Sequence, residues 1–318
     1  MFMKKTVTLP VILILLLACG CGAEEDENSQ TRFLLDTVVT ITAECDDETL
    51  DGAFALCEEL ESILSRTAEG SDVYRLNNTD GFVKVSEHTL KNVERALYYA
   101  ELSGGKFDIT IYPVSSLWDF KNQVVPDRDE IAEALKNVDY QSIEIKGDEI
   151  SLGGRQIDLG GIAKGYISDE LIGYFSDKGV DNVLISLGGN IGMIGGYRIG
   201  IREPFSDSLI AAAELENQSA STSGIYERYI EKDGKLYHHV LDPQTGCGVE
   251  NDLASVTVIG KNSIDCDALS TVCLLLGSEA AAELIDSIPE TEAVMIDRDN
   301  NIILTSGLYR EDDEIYFK

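Results

Sequence analysis

The chain has 318 residues, 44% of them hydrophobic, enough for one large packed domain or two closely joined ones. Aspartate and glutamate total 57 against 25 lysines and arginines, a net charge of −32. Such a surface repels nucleic acid and anionic lipid headgroups, so any anionic ligand must be met by local backbone amides, a lysine or a metal ion.

The first segment has the composition of an export signal. Lys4 and Lys5 precede an apolar run from Val11 to Ala18, and Cys19-Gly20-Cys21-Gly22 follows at once. The run is too short for a stable membrane-spanning helix, which needs about 20 residues. Leu16-Leu17-Ala18-Cys19 resembles a bacterial lipobox, so 1–22 is expected to be a signal peptide and lipobox with Cys19 lipidated. Cys21 fits the box less well, and an ordinary cleaved secretory signal shares the same charged and apolar regions. Residues 23–31, with Glu24, Glu25, Asp26 and Glu27, read as a flexible acidic tether, and 32–318 as the folded body. The expected location is extracytoplasmic, on a membrane through the lipid.

In the body, Phe33 to Ala43 is rich in β-branched residues and predicts one strand. Apolar residues at helical spacing predict a helix over Glu48 to Leu64; a polar loop follows through Asn77 to Gly81. A second helix is expected over Thr89 to Leu102, ending at Ser103-Gly104-Gly105, and a short one from Pro126-Asp127 to about Leu135. Three short strands (SIEI, EISL, RQIDL) should follow from Ser142, separated by turns at Gly147 and Gly153-Gly154. A helix near Ile162 to Lys178 precedes strands at Asn182 to Ser186 and Tyr197 to Ile201, with more through His239. Val256 to Ile259 reads as a strand, Asp265 to Leu276 and Glu279 to Ser287 as helices, and the end is strand-like. This is an α+β pattern of mixed or antiparallel sheets with packed helices and a smaller helical lobe near the N-terminal third.

Five cysteines remain in the body: Cys45, Cys57, Cys247, Cys266 and Cys273. They form no CxxC pair, and the chain has three histidines, which argues against zinc. An exported location permits disulfides, but the odd count leaves at least one thiol free.

Several short constellations carry chemistry. Asp158-Leu159-Gly160-Gly161-Ile162-Ala163-Lys164-Gly165 falls at a strand-to-helix junction, where glycines admit a ligand to the backbone and free amides attract anions. Lys164 is placed to reach a phosphate and Asp158 to accept from the N–H edge of a heterocycle; a tight turn with a solvated lysine is the structural alternative. In Asp265-Cys266-Asp267-Ala268-Leu269-Ser270-Thr271, Asp267 and Thr271 are i and i+4 on one helix face. A carboxylate and a hydroxyl so spaced suit a hard cation such as Mg2+, although Asp267 would equally serve as a helix-start residue. Ser221-Thr222-Ser223-Gly224 and His238-His239-Val240-Leu241-Asp242-Pro243-Gln244-Thr245-Gly246 form a third group. His239 reads either as a general base or as an orienting or packing residue. Ser103 to Thr110 and Ser186 to Gly192 add two glycine turns.

Taken in order, SGGKFDIT, DLGGIAKGY, ISLGGNI, STSGIYERY, HHVLDPQTG and DCDALST resemble the ApbE family of FAD:protein FMN transferases over nearly the whole body. The resemblance implies an ApbE-like fold in which Asp158 and Lys164 bind FAD. It implies that the Gly161 carbonyl, Asp267 and Thr271 hold Mg2+, and that Lys106, Phe107 and Asp108 line the flavin cleft. Leu35 falls where many members carry a methionine, and His239 matches a histidine assigned to assist transfer. The implied reaction moves the FMN part of FAD to a threonine or serine hydroxyl of a partner protein and releases AMP. One departure stands out. Where many members have a tyrosine near the flavin, this chain has Thr67, with Tyr74 as a possible substitute. An Mg2+-dependent FAD pyrophosphatase giving FMN and AMP is therefore the alternative, and a flavin-binding lipoprotein without turnover the non-enzyme one.

Overall fold

The computed structural model describes residues 27–318; the expected signal peptide, Cys19 and tether residues 23–26 lie outside the described residues. In chain order come β1 (Asn28–Leu34), β2 (Thr37–Ala43), α1 (Asp47–Leu64), α2 (Asp72–Asn77), β3 (Phe82–Lys84) and α3 (Glu87–Leu102). Then follow α4 (Tyr112–Ser115), α5 (Arg128–Leu135), β4 (Glu144–Lys146), β5 (Glu149–Ser151) and α6 (Ala163–Asp177). Next are β6 (Val183–Leu187), β7 (Asn190–Ile194), β8 (Gly196–Arg202), β9 (Leu209–Glu216), β10 (Ser219–Gly224), β11 (Tyr229–Lys232) and β12 (Lys235–His238). The chain closes with β13 (Leu253–Gly260), α7 (Ser263–Leu276), α8 (Ser278–Asp286), β14 (Glu292–Asp297), β15 (Ile302–Leu304), β16 (Leu308–Glu311) and β17 (Glu314–Phe317).

An eight-stranded antiparallel sheet, ordered β1-β2-β6-β7-β10-β13-β14-β15, is the frame. Alternation along its strands sends two sets of side chains in opposite directions. Val183, Ile185 and Leu187 of β6 and Val256 and Val258 of β13 join the large core with Phe54 of α1, Leu171 of α6 and Leu269 of α7. On the other face, Leu184 and Ile259 meet Ile199, Ala213 and Ile315 of a four-stranded sheet, β16-β17-β9-β8. Helices, sheet and sheet thus form three layers, and β13 is buried along its whole length. A smaller lobe holds α4 and α5 and takes in the β11–β12 hairpin, around Val114, Trp118, Ile131, Ile230 and Leu241.

Three expectations change. The single strand over Phe33 to Ala43 is a hairpin: Leu35 and Asp36, both at φ 56°, form its two-residue turn. Left-handed backbone at both turn positions matches the twist of the strands, but leucine adopts it under strain, and nothing in the β-branched run signals a reversal. The expected tether to residue 31 is ordered from Asn28, where β1 pairs with β2 and Ser29 Oγ lies 2.8 Å from Thr42 Oγ1. RQIDL joins no sheet, because its backbone is held by a side chain. Asn77, at the end of a helix rather than in a loop, accepts from the Ile157 amide at 2.7 Å and donates to its carbonyl at 2.9 Å.

Among the described residues no helix is long and apolar enough to cross a membrane. The five described cysteines are all free thiols; Cys57, Cys266 and Cys273 are buried in the core.

Candidate functional site

The site is organised by the close approach of α6 to α7. A Cβ on Gly165 would lie 2.7 Å from Asp267 Cβ, so only glycine lets the first turn of α6 sit against α7. The Gly165 amide donates to Asp267 Oδ2 at 2.9 Å. In return Asp169 of α6 accepts from the amides of Ser263 and Ile264 at 2.7 and 2.9 Å, capping α7 from a neighbouring helix; burial pushes its carboxyl up to about 6. Each helix start is thus satisfied by a carboxylate of the other.

Asp267 is buried, and of its two carboxylate oxygens only Oδ2 has a hydrogen bond to a described residue. One turn on, Thr271 Oγ1 is 3.1 Å from Ser223 Oγ, the last side chain of β10 before Gly224. A Cβ on Gly161 would lie 3.9 Å from Thr271 Oγ1 and 3.2 Å from the Phe107 ring. The structure therefore brings Gly161, Thr271 and Phe107 together, with Asp267 one helical turn away. The donors are a carboxylate, a hydroxyl and a peptide carbonyl, hard oxygens of the kind Mg2+ takes. No cluster of three or more His, Cys, Asp or Glu suited to a metal occurs among the described residues.

Asp158 and Lys164 stand at the loop leading into α6, whose N-cap, Ile162, offers no capping side chain. Asp158 Oδ1 accepts from the Gly160 amide at 2.8 Å, and Lys164 Nζ donates to the Gly160 carbonyl at 3.2 Å. Asp158 Oδ2 is also ion-paired with Arg66 at 3.0 Å, and the Arg66 guanidinium lies 5.6 Å from the centre of the Tyr112 ring. Sequence reasoning missed both partners. Thr67 itself is exposed and its hydroxyl turns to Ser65, while Tyr112 is an aromatic side chain linked to Asp158 through Arg66.

The other cleft residues divide. Phe107 packs by Gly161. Lys106 is tied to Asp242 at 2.7 Å and reaches Gln244 at 3.4 Å. Asp108 does not offer a free carboxylate: Oδ1 accepts from the Thr110 amide and hydroxyl at 2.7 and 2.6 Å, and Oδ2 from the Tyr140 amide at 3.1 Å. Burial raises its pKa, and its role is to cap the turn at Ile109–Ile111. Leu35 sits at the hairpin turn, its amide donating to Glu61 Oε1 at 2.9 Å.

His239 is half-buried, with its amide bonded to the Arg228 carbonyl at 3.0 Å and the ring edge-on to Phe120. Its Nδ1 is sealed from solvent and has no hydrogen-bond partner. Burial first, then the Arg228 charge, push the ring down to about 3, so it is neutral at physiological pH.

A family model described as the ApbE family matches residues 35–295. The chain belongs to the ApbE family. A protein of Treponema pallidum named FAD:protein FMN transferase is 32% identical over 288 residues, covering 81% of this chain and 80% of its own. One of Klebsiella pneumoniae with the same name is 33% identical over 289 residues, covering 87% and 92%. Among solved structures, the ApbE protein of Thermotoga maritima superposes with a TM-score of 0.81 at 29% identity, covering 88% of this chain and 97% of that one. The flavin transferase ApbE from Vibrio cholerae gives 0.80 at 25% identity, with the same coverage. The α+β fold of this ApbE-family enzyme is therefore that of known flavin transferases.

Proposed function

We propose that this flavin transferase moves the FMN part of FAD to a threonine or serine hydroxyl of a partner protein, releasing AMP. The observation that carries the reading is the α6–α7 junction, where the start of α6, with Lys164 and no capping side chain at Ile162, adjoins a buried carboxylate and the Thr271 hydroxyl. FAD is the substrate named for the relatives, and its pyrophosphate needs such local positive potential on a chain of net charge −32.

The residues fit Mg2+, which Gly161 O, Asp267 and Thr271 would hold. When bound it would neutralise charge on the phosphates as the anhydride opens. Lys164, freed from the Gly160 carbonyl, supplies a further positive charge to the phosphates. Asp158 exchanges Arg66 for the polar edge of the flavin, and Phe107 gives an apolar wall beside Gly161. Lys106 is held by Asp242.

One observation favours the pyrophosphatase as the second reading. Thr67 is short and exposed, so no ring on that loop excludes water from the flavin side. For location, we propose an extracytoplasmic lipoprotein anchored through Cys19, on the strength of Lys4, Lys5, the apolar run and the lipobox. Cys19→Ser should then release the protein from membranes; retention there counts against the anchor.

The deciding experiment incubates the full chain with FAD, Mg2+ and a threonine-containing peptide and follows intact mass. A gain of one FMN residue, abolished by EDTA, is the expected result. AMP and free FMN with an unmodified peptide would instead support the pyrophosphatase.

A further inference from the structure

Arg66 is a side chain for which the fold has little need. It lies between Ser65, the C-cap of α1, and Thr67, in a turn pinned by Ser65 Oγ, which accepts from the Thr67 and Ala68 amides at 3.2 and 3.0 Å. From that turn the guanidinium crosses to Asp158, 3.0 Å from Oδ2, with the centre of the Tyr112 ring 5.6 Å away. The Arg66 side chain is 42% exposed, and an ion pair so open to solvent adds little to stability.

Asp158, in contrast, is firmly set. Its amide donates to the Ile109 carbonyl at 2.8 Å, and Oδ1 accepts from the Gly160 amide at 2.8 Å. Ile109 is two residues on from Phe107, whose ring stands 3.2 Å from the place of a Cβ on Gly161. The carboxylate is thus tied to the segment that carries the apolar wall, and its second oxygen, Oδ2, is the one that meets Arg66.

The pyrimidine edge of a flavin presents a carbonyl, an N–H and a second carbonyl in a row. A carboxylate can accept from the N–H, but alone it sets its negative charge against the carbonyl oxygens on either side. Arginine supplies what is missing, several N–H donors in one planar fork and a positive charge. With the guanidinium beside Oδ2, acceptor and donor stand next to each other, the complement of two adjacent atoms of that edge. We propose that Arg66 reads the flavin together with Asp158, donating to the carbonyl next to the N–H that Asp158 accepts. This inference rests on the transfer reading above, in which Asp158 meets the flavin edge. On binding, the guanidinium gives up Oδ2 to the N–H and moves to the neighbouring oxygen, a small shift for a partly exposed side chain.

The test measures the affinity of FAD and of ADP, both without Mg2+, for the wild-type chain, Arg66→Met and Arg66→Lys. AMP release from FAD is followed with Mg2+ and a threonine peptide. ADP carries the pyrophosphate and no flavin, so it separates an effect on the ring from one on the phosphates. Arg66→Met should weaken FAD binding by about 10-fold or more, the scale of a hydrogen bond made by a charged group. Its affinity for ADP and its melting temperature should stay near wild type. KM for FAD should rise by a similar factor while kcat changes little, and Arg66→Lys, with the charge but not the fork, should fall between. Equal weakening of FAD and ADP overturns the proposal, since it would mark a charge acting on the phosphates. FAD affinity at or above wild type in Arg66→Met overturns it too, marking a residue that merely competes with the flavin for Asp158. A wild-type chain that neither binds FAD more tightly than ADP nor releases AMP overturns the transfer reading and this proposal together.

Discussion

At the α6–α7 junction the site residues stand on two helices of 15 and 14 residues embedded in the large core, each helix start capped by the other's aspartate. Across from them Lys106, His239 and Asp242 adjoin a small lobe whose buried centre is Val114, Trp118, Ile131, Ile230 and Leu241. The first region holds its polar groups where displacement means repacking a close-packed interior. The second is joined to it near the site by side-chain contacts such as Lys106–Asp242 and the chain Asp158–Arg66–Tyr112, partly exposed links that contribute little energy. On the proposed reading a division of labour follows: the phosphates and cation would meet a fixed wall, and the flavin and acceptor one that can adjust.

The largest way to break this contrast is Gly165→Ala. The new methyl would stand within 2.7 Å of Asp267 Cβ and drive α6 from α7. Overpacking of this kind costs about 3 kcal/mol, and it should lower the melting temperature and abolish FMN transfer together. A variant that melts and turns over like wild type would show that the junction is loose. Asp267→Asn separates the two effects. Its amide oxygen still accepts from the Gly165 amide, so the fold should stay, while the charge offered to a cation is gone. The expected result is a melting temperature close to wild type with AMP release reduced by about 100-fold, a loss of the size seen when a charge-stabilising group is removed. Unchanged release would remove Asp267 from the metal set.

The smaller lobe should respond differently. Trp118 Nε1 donates to the Gly246 carbonyl at 3.1 Å in the buried centre of the lobe. Trp118→Phe leaves that carbonyl unsatisfied at a cost of about 1–3 kcal/mol. Hydrogen exchange should quicken in α4, α5 and the β11–β12 hairpin while the α6–α7 junction stays protected. Equal loss of protection in both regions would mean they unfold as one unit.

The same contrast explains what could be read in the sequence. The α6–α7 wall was legible because its constraints are local and chemical: Gly161 and Gly165 at a helix start, and Asp267 and Thr271 one turn apart. Most helices announced themselves by periodicity and caps, as α5 did through Asp127 and Glu130. The rest depends on partners distant in sequence. Asp108 looks like a ligand-binding carboxylate until Thr110 and Tyr140 are seen to occupy it. RQIDL looks like a strand until Asn77, 80 residues away, takes its backbone bonds. The Leu35–Asp36 reversal lacks the Asn-Gly or Asp-Gly signature that usually marks such a turn.

The smallest expected effect concerns His239, on the adjustable side. An unfolded histidine titrates near 6.5, whereas burial and Arg228 hold this ring to about 3. Between those values the unfolded chain takes up a proton that the folded one refuses, so this residue's contribution to stability is intact above pH 6.5 and declines as the pH falls toward 3. The slope is about 1 kcal/mol per pH unit over that window, and buried His238, also shifted down by burial, acts in the same direction. Relief of repulsion among 57 acidic residues opposes it as they protonate, so the wild-type profile alone does not isolate the term. The difference between wild type and His239→Gln does. Denaturant melts at pH 7 and pH 5.5 should show the variant losing less stability than wild type on acidification. Parallel losses would mean that the ring is solvated in the folded chain.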